Sequence, residues 1–329
     1  MAESGSRPDG ISRDGLSFGA AAYLLWGLFP LYWPLLEPAG ALEILAQRMV
    51  WSLAFVGVLI LVTGRRASVR AAVRQPGVVW RLAIGAVVVS VNWGVYIWGV
   101  NHGHVVETSL GYFINPLLTI LLGVLVLHER LRPAQWVAVG IASVAILVLT
   151  LDYGRLPWIA LTLAFSFGTY GLIKARTRVG AIESLAIETS VLFVPAVITL
   201  VVLGARSSLV FGSHGAGNVV LLMGTGVVTA VPLLLFAASA RRLPLSVLGL
   251  LQYLAPVLQL AVGVGIRHEP LPPARLAGFT LVWIALIILT TDALRFARRT
   301  SREVTPARDV PGEAAPVSAQ VPADEPELR

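Results

Sequence analysis

The sequence predicts an all-α polytopic membrane protein of ten transmembrane helices, arranged as two inverted five-helix repeats. Three observations lead there. The chain is 56% hydrophobic and 13% charged, with a mean hydropathy of +0.79, whereas soluble domains carry about 25% charged residues. It contains ten runs of the roughly 20 apolar residues that a bilayer-crossing helix needs. And one pattern occurs twice. Pro116, Leu118, Gly123, Val124, His128, Glu129, Leu131, Pro133 and Ala134 recur, at an offset of 140 residues, as Pro256, Leu258, Gly263, Val264, His268, Glu269, Leu271, Pro273 and Ala274. The same offset carries Glu43 to Glu183, Leu45-Ala46 to Leu185-Ala186 and Leu149-Thr150 to Leu289-Thr290. Duplicated helical bundles are a common plan of secondary transporters.

In chain order the spans are 16–36, 42–63, 78–100, 105–127 and 133–151, then 156–174, 182–203, 217–238, 245–266 and 273–293. The repeats are therefore 16–151 and 156–293. Each has an odd number of helices, so the second enters the membrane in the opposite sense. The long apolar runs lack period-two alternation, which argues against a β-barrel. Residues 1–15 carry charges, glycines and a proline but no apolar core, so they read as a cytoplasmic tail rather than a cleavable signal. Residues 294–329, rich in proline and mixed charge, read as a disordered cytoplasmic tail.

Arginine placement orients the bundle. With the amino terminus inside, the inner loops hold Arg65, Arg66, Arg70, Arg74, Arg130, Arg132, Arg176, Arg178, Arg241 and Arg242, with Lys174 at the rim. The outer loops hold only Arg155, Arg206 and Arg267, with Arg275 at a helix entrance. Basic residues favour the cytoplasmic side, so both termini are expected there, in a multi-pass plasma or inner-membrane protein. The inner repeat copy reads His128-Glu129-Arg130-Leu131-Arg132, and the outer copy replaces both arginines with Pro270 and Pro272. The pI of about 10.3 thus needs no nucleic acid: the arginines orient the chain and face anionic lipid.

Several ordered motifs carry a family resemblance. They are Tyr23-x2-Trp26-Gly27-Leu28-x-Pro30-Leu31-Tyr32, Leu42-Glu43-Ile44-Leu45-Ala46-x-Arg48 and Asn92-Trp93-x2-Tyr96-x-Trp98. Glu107-x-Ser109-Leu110-Gly111-Tyr112-x2-Asn115-Pro116 and Gln252-Tyr253-x2-Pro256 complete the set. Over about residues 16–293 the chain resembles the RarD (chloramphenicol-sensitivity) group, in the EamA-type branch of the drug/metabolite transporter superfamily. The resemblance implies a ten-helix, inverted-repeat inner-membrane permease whose cargo is poorly defined.

In such folds the site lies near the bilayer midplane, on helices whose regularity is interrupted. Pro116 and Pro256 are the symmetric pair of helix breaks, since proline removes a backbone hydrogen bond and frees carbonyls. They either line a cavity or only kink their helices. Trp26, Asn92, Trp93, Tyr96, Tyr112, Asn115, Gln252 and Tyr253 are the candidate substrate-binding residues. Trp33, Trp80, Trp98 and Trp158 fall near span ends, where an interfacial aromatic belt is the ordinary reading. Charge inside a span is costly and marks Arg48, Glu107 and Glu188. Arg48 and Glu107 both enter from the outer side and are placed to pair. Glu188 occupies the position equivalent to Arg48, but inversion sets it about 9 Å from the inner surface. It is placed to carry a coupling proton, burial disfavouring a bare carboxylate, or to sit as a solvated or locally paired group.

Other chemistries are weakly signalled. His128-Glu129 lacks the second histidine of a zinc helix, and His102-x-His104 with Glu107 has metal-like spacing in a short polar hairpin. The chain has no cysteine and no phosphate-binding G-x4-G-K-[ST] loop. No catalytic residue, metal or cofactor is expected. The leading reading is a secondary permease or exporter of a small-molecule substrate by alternating access, with proton coupling left open. A lipid or lipid-linked precursor translocator, or a membrane-embedded enzyme or receptor, remain alternatives. Oligomeric state is open, a homodimer included.

Overall fold

The computed structural model describes residues 12–127, 131–177, 179–240, 242–243 and 245–303. Every regular element among them is helical. The first span is α1 (Arg13–Gly27), a one-turn α2 (Phe29–Tyr32) and a 3-10 turn (Trp33–Leu36). The pieces bend by 41°, where Pro30 and Pro34 each sit within the first two positions of a new helix. A proline there costs little, because those N–H groups have no intrahelical acceptor. The following helices are α3 (Ala41–Val62), α4 (Arg66–Arg74), α5 (Val78–Asn101), α6 (Val105–Leu127) and α7 (Pro133–Tyr153). The second half contains α8 (Trp158–Ala175), α9 (Ala181–Ala205), α10 (Gly215–Ala240), α11 (Leu245–Leu251), α12 (Leu254–Gly265) and α13 (Pro273–Glu303). α7 shows the usual asymmetry of boundary residues: Pro133 opens it, and Gly154 closes it at φ +64°, a conformation that only glycine adopts freely.

Six helices (α3, α5, α7, α9, α10 and the first 21 residues of α13) are long and apolar enough to cross a membrane, and the bent first pair makes a seventh. α8 and α12 are shorter apolar helices. α6 has 23 residues, about 34 Å at the helical rise. Three sequence expectations change. The 64–77 loop contains α4, an amphipathic helix whose arginines at 66, 70 and 74 share one face while Ala72 is buried. The carboxy-terminal tail does not begin at 294, since α13 runs through Glu303, and the rest of that tail lies outside the described residues. The amino-terminal tail is shorter too: Ser12 accepts a hydrogen bond from Gly15 N at 3.2 Å and caps α1.

Packing proceeds in pairs. α7 lies along α13; α6 packs on α8, and α12 on α1; α1 packs on α10, and α8 on α5; α3 packs on α10, and α5 on α9. Each of these pairs joins one half to the other, as do α3–α9 and α6–α12. Two ion pairs staple α7 to α13 at opposite ends: Arg275 Nε to Asp152 Oδ2 at 2.9 Å, and Arg132 to Asp292 Oδ2 at 2.6 Å. Asp152 and Asp292 are themselves 140 residues apart. Where α10 crosses α3, Gly226 lies against the backbone of Trp51 and Ser52, and a Cβ there would collide with both. Such close approach is what small residues permit between membrane helices.

Candidate functional site

The crossing of α3 and α10 delivers the most unusual side chain of the molecule. Arg48 lies two turns into α3 and is 2% exposed. Its Nε donates to Thr229 Oγ1 on α10 at 2.7 Å. Three rings surround the guanidinium: its central carbon is 3.9 Å from the centroid of Trp93, 5.3 Å from Trp33 and 5.9 Å from Phe29. None of the five ion pairs among the described residues includes Arg48. A charge buried without an anion costs several kcal/mol. Desolvated cation–π contacts return up to about 2 kcal/mol each, and the hydroxyl acceptor about as much. The cage holds the cation in place while leaving its charge unneutralised.

A polar network stands beside the cage. Tyr96 and Tyr112 stack edge to face at 5.6 Å, both close enough to Arg48 to interact electrostatically. The Tyr112 hydroxyl donates to Asn92 Oδ1 at 3.1 Å. Asn92 Nδ2 in turn donates to the Leu163 carbonyl and to Ser166 Oγ, each at 2.9 Å. This ties α5, α6 and α8 together and fixes the amide, so Asn92, fully buried, is locked in the framework.

The structure therefore gathers Arg48, Asn92, Trp93, Tyr96 and Tyr112 and separates the other candidates. Trp26 packs on Tyr23 and Phe236 at 5.3 and 5.8 Å, and its carbonyl accepts from Gln259 Nε2. Tyr253 packs into the core of α6, α7 and α13, and it interacts with Gln252 and with Thr290 of α13. Asn115 lies half-buried on α6, almost one turn beyond Tyr112. The two prolines behave differently. At Pro256 the helix is broken: α11 stops at Leu251 and α12 starts at Leu254, so Pro256 is the third residue of a new helix. At Pro116 no break occurs, and α6 runs through it. A proline costs an interior helix one hydrogen bond, but it costs a first turn none.

The expected pairing of Arg48 with Glu107 does not form. Glu107, 1% exposed, instead accepts from both terminal nitrogens of Arg155, at 3.3 and 2.7 Å, and from Ile159 N at 3.2 Å. Those bonds hold the Arg155 guanidinium above its ordinary pKa. Glu188 accepts from Lys174 Nζ at 2.7 Å, Ser184 Oγ at 3.2 Å and Tyr170 Oη at 3.1 Å, the locally paired alternative. His102 and His104 stack on Trp98 at 4.5 and 5.7 Å.

Three cage residues escaped the sequence reading. Trp33 was assigned to an interfacial belt, yet it is fully buried, because the bend at Gly27–Pro30 turns the end of the first span inward. Trp80 and Trp158, 70% and 41% exposed, remain on the surface. Phe29 and Thr229 carried no signal beyond apolarity and helix periodicity. The repeated His-Glu had a signal that no motif explained. In the second copy, Glu269 accepts from Val105 N and Val106 N at 2.6 and 2.7 Å, capping α6 with a carboxylate. The first copy, His128-Glu129, lies outside the described residues.

A recess of about 500 Å³ lies elsewhere. It is an open, mostly apolar groove between α5 and α8, lined by Val88, Val91, Thr162, Phe165 and Ser166 among others.

Comparison with known proteins assigns the family. The model of the EamA-like transporter family matches residues 13–151. Protein RarD of Streptomyces exfoliatus is 57% identical over 95% of this chain and 98% of its own. The chain belongs to the RarD group of EamA-like transporters. An uncharacterized transporter of Pseudomonas aeruginosa is 43% identical over 87% of this chain and 96% of its own. The chloramphenicol-sensitive protein RarD of the same organism is 32% identical over 89% and 98%. A crystal structure with 20% sequence identity matches with a TM-score of 0.56 over 85% of this chain and 98% of its own, a likeness of fold. This RarD-group chain is a multi-pass membrane protein of a transporter family.

Proposed function

We propose that the protein is a secondary transporter of small organic molecules. In this reading, two inverted five-helix repeats, 16–151 and 156–293, alternate access to a central site in the cell membrane. The observation that carries it is the correspondence of helix pairings. Exchanging the two halves turns α6–α8 into α12–α1, α1–α10 into α8–α5, and α3–α10 into α9–α5, while α7–α13, α3–α9 and α6–α12 map onto themselves. Two halves related in this way can exchange conformations, so that one arrangement opens to each side. The staples Arg275–Asp152 and Arg132–Asp292 at opposite ends of α7 and α13 fit the same exchange. The arginines of α4, with Arg176 and Arg242, favour cytoplasmic termini. Names among the relatives are those of transporters.

Purified protein in proteoliposomes, challenged with a metabolite panel with and without a pH gradient, tests this reading. Saturable uptake or counterflow of at least one solute is expected, and a panel without flux above protein-free vesicles would overturn it. A second reading, translocation of a lipid or lipid-linked precursor, is favoured by the laterally open groove between α5 and α8. Movement of a fluorescent lipid between leaflets, in the absence of solute flux, would select it.

A further inference from the structure

We infer that Arg48 is the receptor for the anionic group of the cargo, and that the cargo is a small organic monocarboxylate with an apolar or aromatic body. This rests on the transport reading above. Three groups of donors in and beside the cage are short of acceptors. Beyond its single bond to Thr229, the guanidinium has no hydrogen-bond acceptor among the described residues. Trp33 Nε1, on the ring 5.3 Å from the guanidinium, is buried without a partner, and so is the hydroxyl of Tyr96. Leaving donors dry costs about 1–3 kcal/mol each, more at a charge. A carboxylate satisfies all of them: it accepts bidentately from a guanidinium and has lone pairs left for an indole and a phenol.

Among the described residues no such anion is supplied. Its buried carboxylates near the spans are occupied elsewhere: Glu43 by the N–H groups of Val210 and Phe211, Glu107 by Arg155, Glu183 by Arg65 and Glu188 by Lys174. The ligand must therefore bring the charge. One cation in the cage sets that charge at one, which disfavours phosphate dianions. Among the described residues no carboxylate is bonded to Arg48, so a ligand ammonium finds no receptor there, which disfavours zwitterions. The rings of Trp93, Phe29 and Tyr112 supply flat apolar walls for the remainder. The neighbouring Asn92 is saturated by its own network and leaves discrimination to Arg48.

The test uses purified full-length protein and follows the intrinsic tryptophan fluorescence, to which Trp33 and Trp93 of the cage contribute. The probes are acetate, benzoate and indole-3-acetate, against benzamide, benzylamine and inorganic phosphate. At least one monocarboxylate is expected to give saturable binding, while the amide, amine and phosphate do not. Arg48→Gln should weaken that binding about 10-fold or more, and Arg48→Lys, which keeps the charge but not the fork, should retain part of it. The melting temperature of Arg48→Gln should stay level or rise, because an unneutralised buried charge has been removed. A purely structural arginine would lower it. No monocarboxylate binding, or equal affinity in Arg48→Gln, overturns the inference. Counterflow in proteoliposomes separates the two readings. Arg48-dependent binding without flux rejects transport and keeps the receptor, whereas flux of neutral or cationic solutes that is unchanged in Arg48→Gln keeps transport and rejects the receptor.

Discussion

Lys174 Nζ stands 2.7 Å from Glu188 Oε1, so a carboxylate only 3% exposed is matched by the only lysine of the chain. The contrast with Arg48, its equivalent at the 140-residue offset, is chemical. One position holds a closed ion pair joining α8 to α9; the other holds a cation enclosed by rings and without an anion among the described residues. Lys174 also donates to Ser184, and Tyr170 completes the shell of the carboxylate.

If Glu188 carries a coupling proton, that shell has to open during transport. Glu188→Gln is then expected to abolish uptake driven by a pH gradient while substrate exchange and expression persist. Lys174 keeps 32% of its side-chain surface exposed, so the pair contributes about 1 kcal/mol at most, and loss of folding is not expected. Gradient-driven uptake equal to wild type in Glu188→Gln would eliminate this carboxylate as the coupling site.

The α3–α10 crossing makes a packing prediction that also reaches the cage. Gly226 has no room for a side chain, and Thr229, the partner of Arg48, follows less than one turn later. Gly226→Val should destabilise the protein by about 1–3 kcal/mol through overpacking, read as a lower melting temperature in detergent. Gly140, on α7, has open space around its Cβ position. Gly140→Ala should shift stability by no more than about 1 kcal/mol, in the stabilising direction. Equal melting of wild type and Gly226→Val would show that the helices do not meet as closely as described.

Topology gives the third prediction. Both termini should face the cytoplasm, so a reporter fused after residue 298 and one inserted between residues 206 and 214 should report opposite sides of the membrane. Two reporters on the same side would remove the ten-span arrangement and, with it, the inverted exchange of halves.

Much of this architecture was legible because membrane helices are written in composition. A bilayer cannot satisfy a bare backbone, so each crossing must be a long apolar helix, and arginines mark the side that stays inside. The apolar helices, the repeat offset and the presence of Arg48 and Glu188 within apolar runs follow from residues read singly. The bend that buries Trp33 was not legible: Pro30 and Pro34 permit a new helix to start, but neither fixes the direction in which the chain turns.

By itself, then, the sequence determined a helical membrane protein of the EamA type with a pattern repeated at 140 residues, and it determined where charge enters the apolar runs. Only the tertiary structure decided who meets whom. Glu107 and Arg155 are 48 positions apart in the chain, Arg48 and Thr229 are 181 apart, and no local periodicity links either pair. Helix rotation and crossing set such partnerships, through close approaches like that of Gly226 to Trp51. The same rotation turned one equivalent position into a closed ion pair and the other into a caged, unneutralised cation. The cost of burying a charge is visible residue by residue; the means of offsetting it depends on neighbours that only the packed helices bring into reach.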